Sequence, residues 1–259
     1  MSAVYYEQNS GVARITLDAP ERGNPLNPTS VAELADAVRR ARADDSHVVV
    51  LSATGDTFCV GGDLTAFAGA DDVEHMIDDL AEALHRVISD LHRIAAVVVS
   101  VVQGTTAGAG VPLAAAADLV LASTSARFTL AYTGVGLSPD GGTSLLTASL
   151  GLHRTLRLAL LNPVVTAEEA HALGLVAEVH PDDELDAAVE ATVAGLRRGS
   201  RSAQIAAKRL LREAATPGEE AALRRETLSI RALAASPDGR EGVAAFLAKR
   251  APGYPSSCA

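Results

Sequence analysis

The glycines of one uncharged stretch are the residues whose spacing first suggests chemistry in this chain. Between Arg93 and Asp118 there is no charged side chain, and the first part of the stretch, Ala96–Val102, is a β-branched apolar run of strand length. Its last part, Val111–Ala117, is rich in alanine and favours a helix. The turn between these two parts contains Gly104, Gly108 and Gly110.

Such a turn lets the backbone adopt positive φ and lets another molecule approach closely. The helix that follows it has N–H groups without partners in its first turn, and these groups favour a nearby negative charge. The stretch therefore predicts an anion or oxyanion site. The alternative is a buried strand, loop and helix in which the glycines serve packing alone.

Composition and charge limit the function classes. The 259 residues are 48% hydrophobic, enough for a sizeable core, and the formal charge of −10 argues against nucleic acid or an anionic membrane as a partner. The uncharged run Ile94–Ala117 is long enough to span a bilayer, but its polar residues and Pro112 argue against a transmembrane helix. Cys59 and Cys258 form no disulfide or metal framework, and the N-terminus has no export signal, so we expect a cytoplasmic protein.

The periodicity of the rest predicts an α/β protein. A β-hairpin is expected at Val4–Leu17 and a strand at His47–Ala53, followed by a second glycine-bearing connection, Thr54–Leu64. A helix is expected to begin near Thr29, with Ser30 and Glu33 spaced as a capping box, and a long amphipathic helix at Val73–Ile94. Beyond Leu150 the pattern is almost entirely helical.

Several motifs carry a resemblance to a known family. Gly55–Leu64, G-D-T-F-C-V-G-G-D-L, is followed by Gln103–Gly110, Q-G-T-T-A-G-A-G, and by Ala116–Asp118. In this order and spacing they resemble the signature segments of the enoyl-CoA hydratase/isomerase (crotonase) superfamily. The remaining segments that are similar to it are Arg22–Asn27, Leu137–Gly142, Ala207–Lys208 and Ala245–Pro252.

This resemblance implies a crotonase-like spiral of ββα units with a helical C-terminal trimerisation region. Residues 1–198 would form the acyl-CoA-binding core and residues 199–259 the helical oligomerisation region of a homotrimer or a dimer of trimers. In the family, two main-chain N–H groups hold the thioester carbonyl oxygen, and by position these are Gly62 and Ala109. Alanine in place of the family's frequent glycine changes little, because the donor is the main chain.

The carboxylates then indicate the reaction. The positions that match the two hydratase glutamates are Pro112 and Tyr132, and neither can exchange protons near neutral pH, since unperturbed tyrosine has a pKa of about 10. Asp140 remains, in a loop that resembles that of the Δ3,Δ2-enoyl-CoA and ring-opened phenylacetyl-CoA isomerases. Moving a double bond requires one base, so Asp140 is expected to be catalytic. Its alternative role is to cap the helix after Pro139.

Resemblance also implies the binding residues. Contacts to the acyl-CoA are expected around Arg22, Asn24, Leu26, Val60 and Leu64, at Tyr132, and at Lys249 and Phe246, the latter from a neighbouring subunit. Asp63 borders the same loop and is interpreted mainly as an N-cap. We expect no cofactor beyond the coenzyme A of the substrate, and no metal, because His85 and His92 lack a ligand pattern. Hydration, hydrolysis or decarboxylation, and a silent CoA-thioester binder, remain alternatives.

Overall fold

A mixed β-sheet forms the centre of the protein. The computed structural model describes residues 2–216 and 218–254. The sheet has the order β1-β2-β3-β5-β7-β10, in which β1 and β2 are antiparallel and the other neighbours are parallel. A second, smaller sheet has the order β4-β6-β8-β9. The strands are β1 Val4–Asn9, β2 Val12–Leu17, β3 Val48–Ala53, β4 Thr57–Cys59, β5 Val97–Val102, β6 Thr105–Ala107, β7 Leu119–Ser123, β8 Arg127–Thr129, β9 Val165–Thr166 and β10 Glu178–His180.

Helices cover the sheets and make up most of the chain after residue 146. They are α1 Pro28–Ala43, α2 Leu64–Ala68, α3 Val73–Arg93, α4 Gly110–Ala115, α5 Thr147–Leu150, α6 Leu152–Leu161, α7 Ala167–Leu173, α8 Leu185–Arg198, α9 Arg201–Ala215, α10 Glu219–Ala234 and α11 Pro237–Leu247. In the described part of the chain, no helix combines the length and apolarity that a bilayer span needs. The predicted α/β class and helical C-terminal region are confirmed.

Both faces of the main sheet are buried, which explains the valine runs. On one face, Val48, Val50, Val99 and Val101 pack against α8. On the other, the alternating residues of β3 and β5 join the main core under α1 and α3. Parallel strands that are covered on both faces have continuous hydrophobic sequences, because both sets of side chains are buried.

The predicted capping box of α1 lies one turn too late in the chain. Asn27 is the N-cap, and its side chain accepts hydrogen bonds from the main chain of Thr29 and Ser30 in a capping box with Ser30. Glu33 instead accepts hydrogen bonds from the main-chain N–H groups of Ala3 and Val4. A partner 30 residues away was therefore more favourable for this carboxylate than the local cap.

A buried lysine connects α9 to the segment between α3 and β5. Lys208 Nζ donates to the carbonyls of Leu91 and Ala96 at 2.9 and 3.0 Å and lies 2.8 Å from Asp118 Oδ2. Burial lowers the pKa of Lys208, and the attraction of Asp118 only partly opposes this shift. The ion pair is thus a desolvated one, which is costly to break from one side.

Replacing Lys208 with methionine should lower the free energy of unfolding by about 3 kcal/mol, because two carbonyls and part of Asp118 lose their donor. Urea denaturation at fixed protein concentration measures this loss. The matched control is Arg209→Met on the same helix, whose pair with Glu213 is exposed and 3.9 Å long; its effect should stay below about 0.5 kcal/mol. Equal effects of both variants would contradict the assigned role of Lys208.

Candidate active site

Two loops approach each other so closely that a glycine is required at their contact. Gly61, with φ of 85°, follows β4. A Cβ at this position would lie 2.8 Å from the carbonyl oxygen of Ala107 and 3.0 Å from the nitrogen of Ala109. At the second contact, a Cβ on Gly110 would lie 2.6 Å from the carbonyl oxygen of Cys59. These two glycines therefore let the main chains of the two loops touch.

The second loop differs from the single turn that the sequence predicted. The short strand β6 lies between β5 and the helix, and it pairs with β4 in the second sheet. Gly108, with φ of 52°, then turns the chain into α4, which begins at Gly110. Three-residue strands have too little periodicity to be recognised in a sequence. The extra strand brings the start of α4 to the end of β4.

Gly62 and Ala109 both line one cavity of about 320 Å³. Within the described residues, the main-chain N–H groups of Gly62 and Ala109 donate no hydrogen bond to the main chain of another residue. The remaining lining is almost wholly apolar and includes Phe67, Leu80 and Leu84. Free donors in such a cavity can stabilise a developing oxyanion, because water does not compete with them.

Asp140 lies in the same cavity and is buried. Its main-chain carbonyl accepts hydrogen bonds from the Tyr132 hydroxyl at 2.9 Å and the Thr143 hydroxyl at 2.7 Å. Its side chain caps no helix, since the short 3-10 helix that follows has Gly142 as its N-cap, without a side-chain bond. The capping alternative is therefore not supported, and Asp140 Oδ1 has no hydrogen-bond partner within the described residues.

A histidine and a glutamate lie close to the Asp140 side chain. His85 Nε2 lies 2.9 Å from Asp140 Oδ1 and 3.9 Å from Glu226 Oε2. The first contact is an ion-pair distance, and within the described residues neither His85 Nε2 nor Asp140 Oδ1 has a hydrogen-bond partner. The side chains of His85, Asp140 and Glu226 are 5%, 8% and 7% exposed. In the sequence, His85 showed no ligand pattern and Glu226 was not singled out.

Burial and charge act in opposite directions on this cluster. Burial favours neutral His85, but Asp140, Glu226 and Glu82 outweigh it, so that the pKa of His85 is raised. Burial also raises the pKa of Glu226, although Ser144 and Gly142 donate hydrogen bonds to it. The pKa of Tyr132 is raised well above its usual value, first by burial and then by the two nearby carboxylates. Tyr132 therefore stays a neutral hydroxyl.

The same cluster has the spacing of a metal site. Its three ligand atoms lie within 4.8 Å of one another. However, both oxygens of Glu226 accept main-chain hydrogen bonds, from Gly142 at 2.8 Å and Ser144 at 2.7 Å. We interpret the cluster as a charge network, and the expectation of no metal stays a prediction.

The positions that match the hydratase glutamates offer no carboxylate, and of the two only Tyr132 lines the cavity. Pro112 is buried in α4, and a Cβ on Gly141 would lie 3.4 Å from its Cγ and 3.1 Å from the Cβ of Ala109. Tyr132 is held by its bond to the Asp140 carbonyl. Within the described residues, Asp140 is the only carboxylate that lines the cavity.

The expected CoA-binding residues fall into two groups. Leu26, Val60 and Leu64 line the cavity, as does Tyr132. Asn24 has a structural role, because its buried side chain donates to the carbonyls of Thr54 and Thr57 and accepts from the N–H of Ala19. Phe246 also lines the cavity, whereas Arg22, Asp63 and Lys249 do not.

Arg22 and Asp63 form an ion pair at the first loop. Asp63 is also the N-cap of α2, accepting a hydrogen bond from Ala66 N–H at 3.4 Å, as interpreted from the sequence. Lys249 is exposed and does not line the cavity. Phe246 is 59% exposed and lines the cavity of its own chain, because α11 packs against α2. The expected contribution of Phe246 to the site of a neighbouring subunit stays a prediction.

A larger cleft elsewhere does not combine these features. Its volume is about 770 Å³, and it lies between the end of α3 and the helices α9 and α10. Its lysine and arginine side chains are all paired with carboxylates: Arg93 with Glu220, Lys208 and Arg212 with Asp118, and Arg209 with Glu213. Neither glycine-bearing loop reaches it.

Comparison with known proteins gives consistent matches. Residues 7–257 match the family model described as Enoyl-CoA hydratase/isomerase. A probable enoyl-CoA hydratase of Rhodobacter capsulatus is 38% identical over 97% of both chains. A trans-2-decenoyl-[acyl-carrier-protein] isomerase of Streptococcus mutans is 33% identical over 97% of both chains. The crystal structure of an enoyl-CoA hydratase from Mycobacterium avium subsp. paratuberculosis superimposes with a TM-score of 0.89, at 35% identity, over 97% of this chain and 98% of the other.

Proposed function

This chain belongs to the enoyl-CoA hydratase/isomerase family, and we propose that within it the protein moves a double bond of an acyl-CoA thioester from position 3 to position 2. The observation that carries the proposal is the lone carboxylate: among the described residues that line the cavity, only Asp140 can act as a base near neutral pH. Hydration needs an acid and a base over the same carbons, whereas a double-bond shift needs one group that removes and returns a proton.

The proposed reaction uses groups of this chain alone. Asp140 removes a proton from C2 of a 3-enoyl thioester, and the electron pair moves to the thioester oxygen to give a dienolate. The N–H groups of Gly62 and Ala109 stabilise that oxygen. Asp140 then returns its proton to C4, and the double bond ends between C2 and C3. No water is consumed, which suits an apolar cavity.

Hydration of a 2-enoyl-CoA is the second candidate, and it is favoured by the names of several relatives, including the Rhodobacter capsulatus protein. A parallel assay separates the two reactions: 3-hexenoyl-CoA is followed by appearance of the conjugated thioester, and crotonyl-CoA by its disappearance. We expect kcat/KM for isomerisation to exceed that for hydration by at least about 10²-fold, because one acid–base group is typically worth 10²–10⁴. Faster hydration would overturn the proposal, and turnover of neither substrate would favour a silent thioester binder.

We further propose that the protein assembles as a homotrimer, as the resemblance implies, through residues 199–259. Leu210 and Leu211 on α9 are 63% and 70% exposed in the single chain, and such adjacent apolar side chains typically mark an interface. The double variant Leu210→Glu and Leu211→Glu should therefore shift the mass measured by light scattering from three chains to one. The control Tyr5→Glu replaces a side chain that is 57% exposed on β1 and should leave the mass unchanged. An unchanged trimer in the double variant would contradict this role of α9.

A further inference from the structure

His85 and Glu226 form a charge network with Asp140, but of the three side chains only Asp140 lines the cavity. Ala81 and Leu84 of α3 line the cavity, but His85, the next residue on the helix, does not. Its Nε2 atom faces Asp140, which does line the cavity. Any effect of His85 on the reaction must therefore pass through Asp140.

The residues of the charge network come from α3, α10 and the segment that contains Asp140. His85 lies on α3, and its Nδ1 atom is 3.1 Å from the hydroxyl of Thr227 on α10. Glu226, also on α10, accepts two main-chain hydrogen bonds from Gly142 and Ser144, in the loop that carries Asp140. The carboxylate oxygens of Asp140 and Glu226 come within 4.8 Å of each other with the imidazole beside both. Two carboxylates this close in a buried site repel each other unless a cation or a proton lies between them.

The charges around His85 favour its protonated form. Asp140 and Glu226 face it, and Glu82 on its own helix acts on it from the side, while Arg224 binds Glu82 at 2.7 Å. Tyr132 stays neutral, and its hydroxyl donates a hydrogen bond to the main-chain carbonyl of Asp140. The other buried histidine of α3, His92, pairs with Glu219 but also faces Arg212, and burial lowers its pKa. The two histidines of one helix thus favour opposite charge states.

We propose that His85 is a positioning residue for Asp140: as an imidazolium held between two carboxylates, it keeps Asp140 ionised and in place as the base. This inference rests on the proposed function of Asp140. Glu226 has a distinct part in it. When Asp140 takes up the C2 proton it becomes neutral, and His85 would be left as an unpaired buried cation if Glu226 did not remain beside it.

The test is the pH dependence of kcat/KM for 3-hexenoyl-CoA in His85→Gln, whose side-chain amide is a neutral donor. The acid limb of this profile reports protonation of the base in the free enzyme. Removing the cation leaves two carboxylates that favour a shared proton, so the acid limb should move to higher pH by about one unit or more. At the pH where the wild-type protein keeps half of its maximum, the variant should keep about a tenth or less of its own. A merely structural role would lower activity equally at all pH values.

Two further variants complete the test. Adding Glu226→Gln to His85→Gln removes the second carboxylate and should move the acid limb back towards the wild-type pH. The control His92→Gln, on the same helix, should leave the pH of the acid limb unchanged. Should His85→Gln fail to fold by circular dichroism, Glu226→Gln alone serves instead, and its acid limb should move to lower pH because His85 then faces Asp140 only.

The outcomes separate this inference from the proposed function. An acid limb that does not move in the folded His85 variant, or in Glu226→Gln alone, overturns the role of His85 and leaves Asp140 as the base. Full activity of Asp140→Asn would instead overturn the proposed function itself. Stimulation of the wild-type enzyme by added divalent cations and its loss on chelation would replace the charge network with a metal site.

Discussion

Asp140→Asn should lower kcat/KM for 3-hexenoyl-CoA by about 10³-fold, since a positioned general base contributes about 10²–10⁴ to such a reaction. Asparagine has nearly the same shape but cannot take up the C2 proton. The dissociation constant for a saturated acyl-CoA should change little, because the cavity wall that binds the acyl chain is apolar and intact. Steady-state kinetics and calorimetric titration measure the two effects separately.

The matched control is Asp90→Asn, a partly exposed carboxylate on α3 that pairs with Arg42 and lies outside the cavity. Its kinetics should equal those of the wild-type protein. If Asp140→Asn keeps more than about a tenth of the activity, its loss is smaller than a general base typically causes, and the base lies elsewhere.

Ala109→Pro should lower kcat by at least about 10²–10³-fold, which corresponds to the loss of one oxyanion donor, about 2.7–4 kcal/mol. Ala109 has φ of −64°, the value that proline requires, so the substitution removes the N–H with little change in the backbone. Gly108 before it has no Cβ, which eases the restriction that proline places on the preceding residue. The proline ring also places a carbon where the thioester oxygen would sit.

Ala109→Gly is the control, because it keeps the N–H and should retain activity within about fourfold, since burial of one methyl group is worth about 0.8 kcal/mol. Circular dichroism and the thermal midpoint report whether α4 still forms. Equal activity of the proline and glycine variants would show that the Ala109 N–H does not hold the oxyanion.

The features that the sequence predicted well are local ones. The run at β5 and the amphipathic pattern of α3 set the strand and the helix within a residue or two, and Asp63 before a short helix was recognisable as a cap. The glycines of both loops indicated that another part of the molecule or a ligand approaches the backbone closely there. The sequence did not show that each loop approaches the other, because that contact depends on the fold.

The features that the sequence did not predict depend on distant pairs. His85 and Glu226 meet because α10 packs along α3, and the hydrogen bond between Gly142 and Glu226 spans 84 residues. One signal was present: Glu226 falls on the stripe of α10 that contains Leu223 and Ile230, where a charged side chain is unexpected. A carboxylate on an apolar stripe indicates a buried partner, but it does not identify His85.

The central claim is that two main-chain amides and one carboxylate converge on a single acyl thioester. A crystal structure of the Asp140→Asn variant with 3-hexenoyl-CoA bound tests it most directly. We predict that the thioester oxygen lies about 2.7–3.1 Å from the nitrogens of both Gly62 and Ala109, and that the substituted side chain at position 140 lies about 3–3.5 Å from C2. A thioester oxygen that reaches only one of these nitrogens, or a side chain at position 140 turned away from C2, would contradict it.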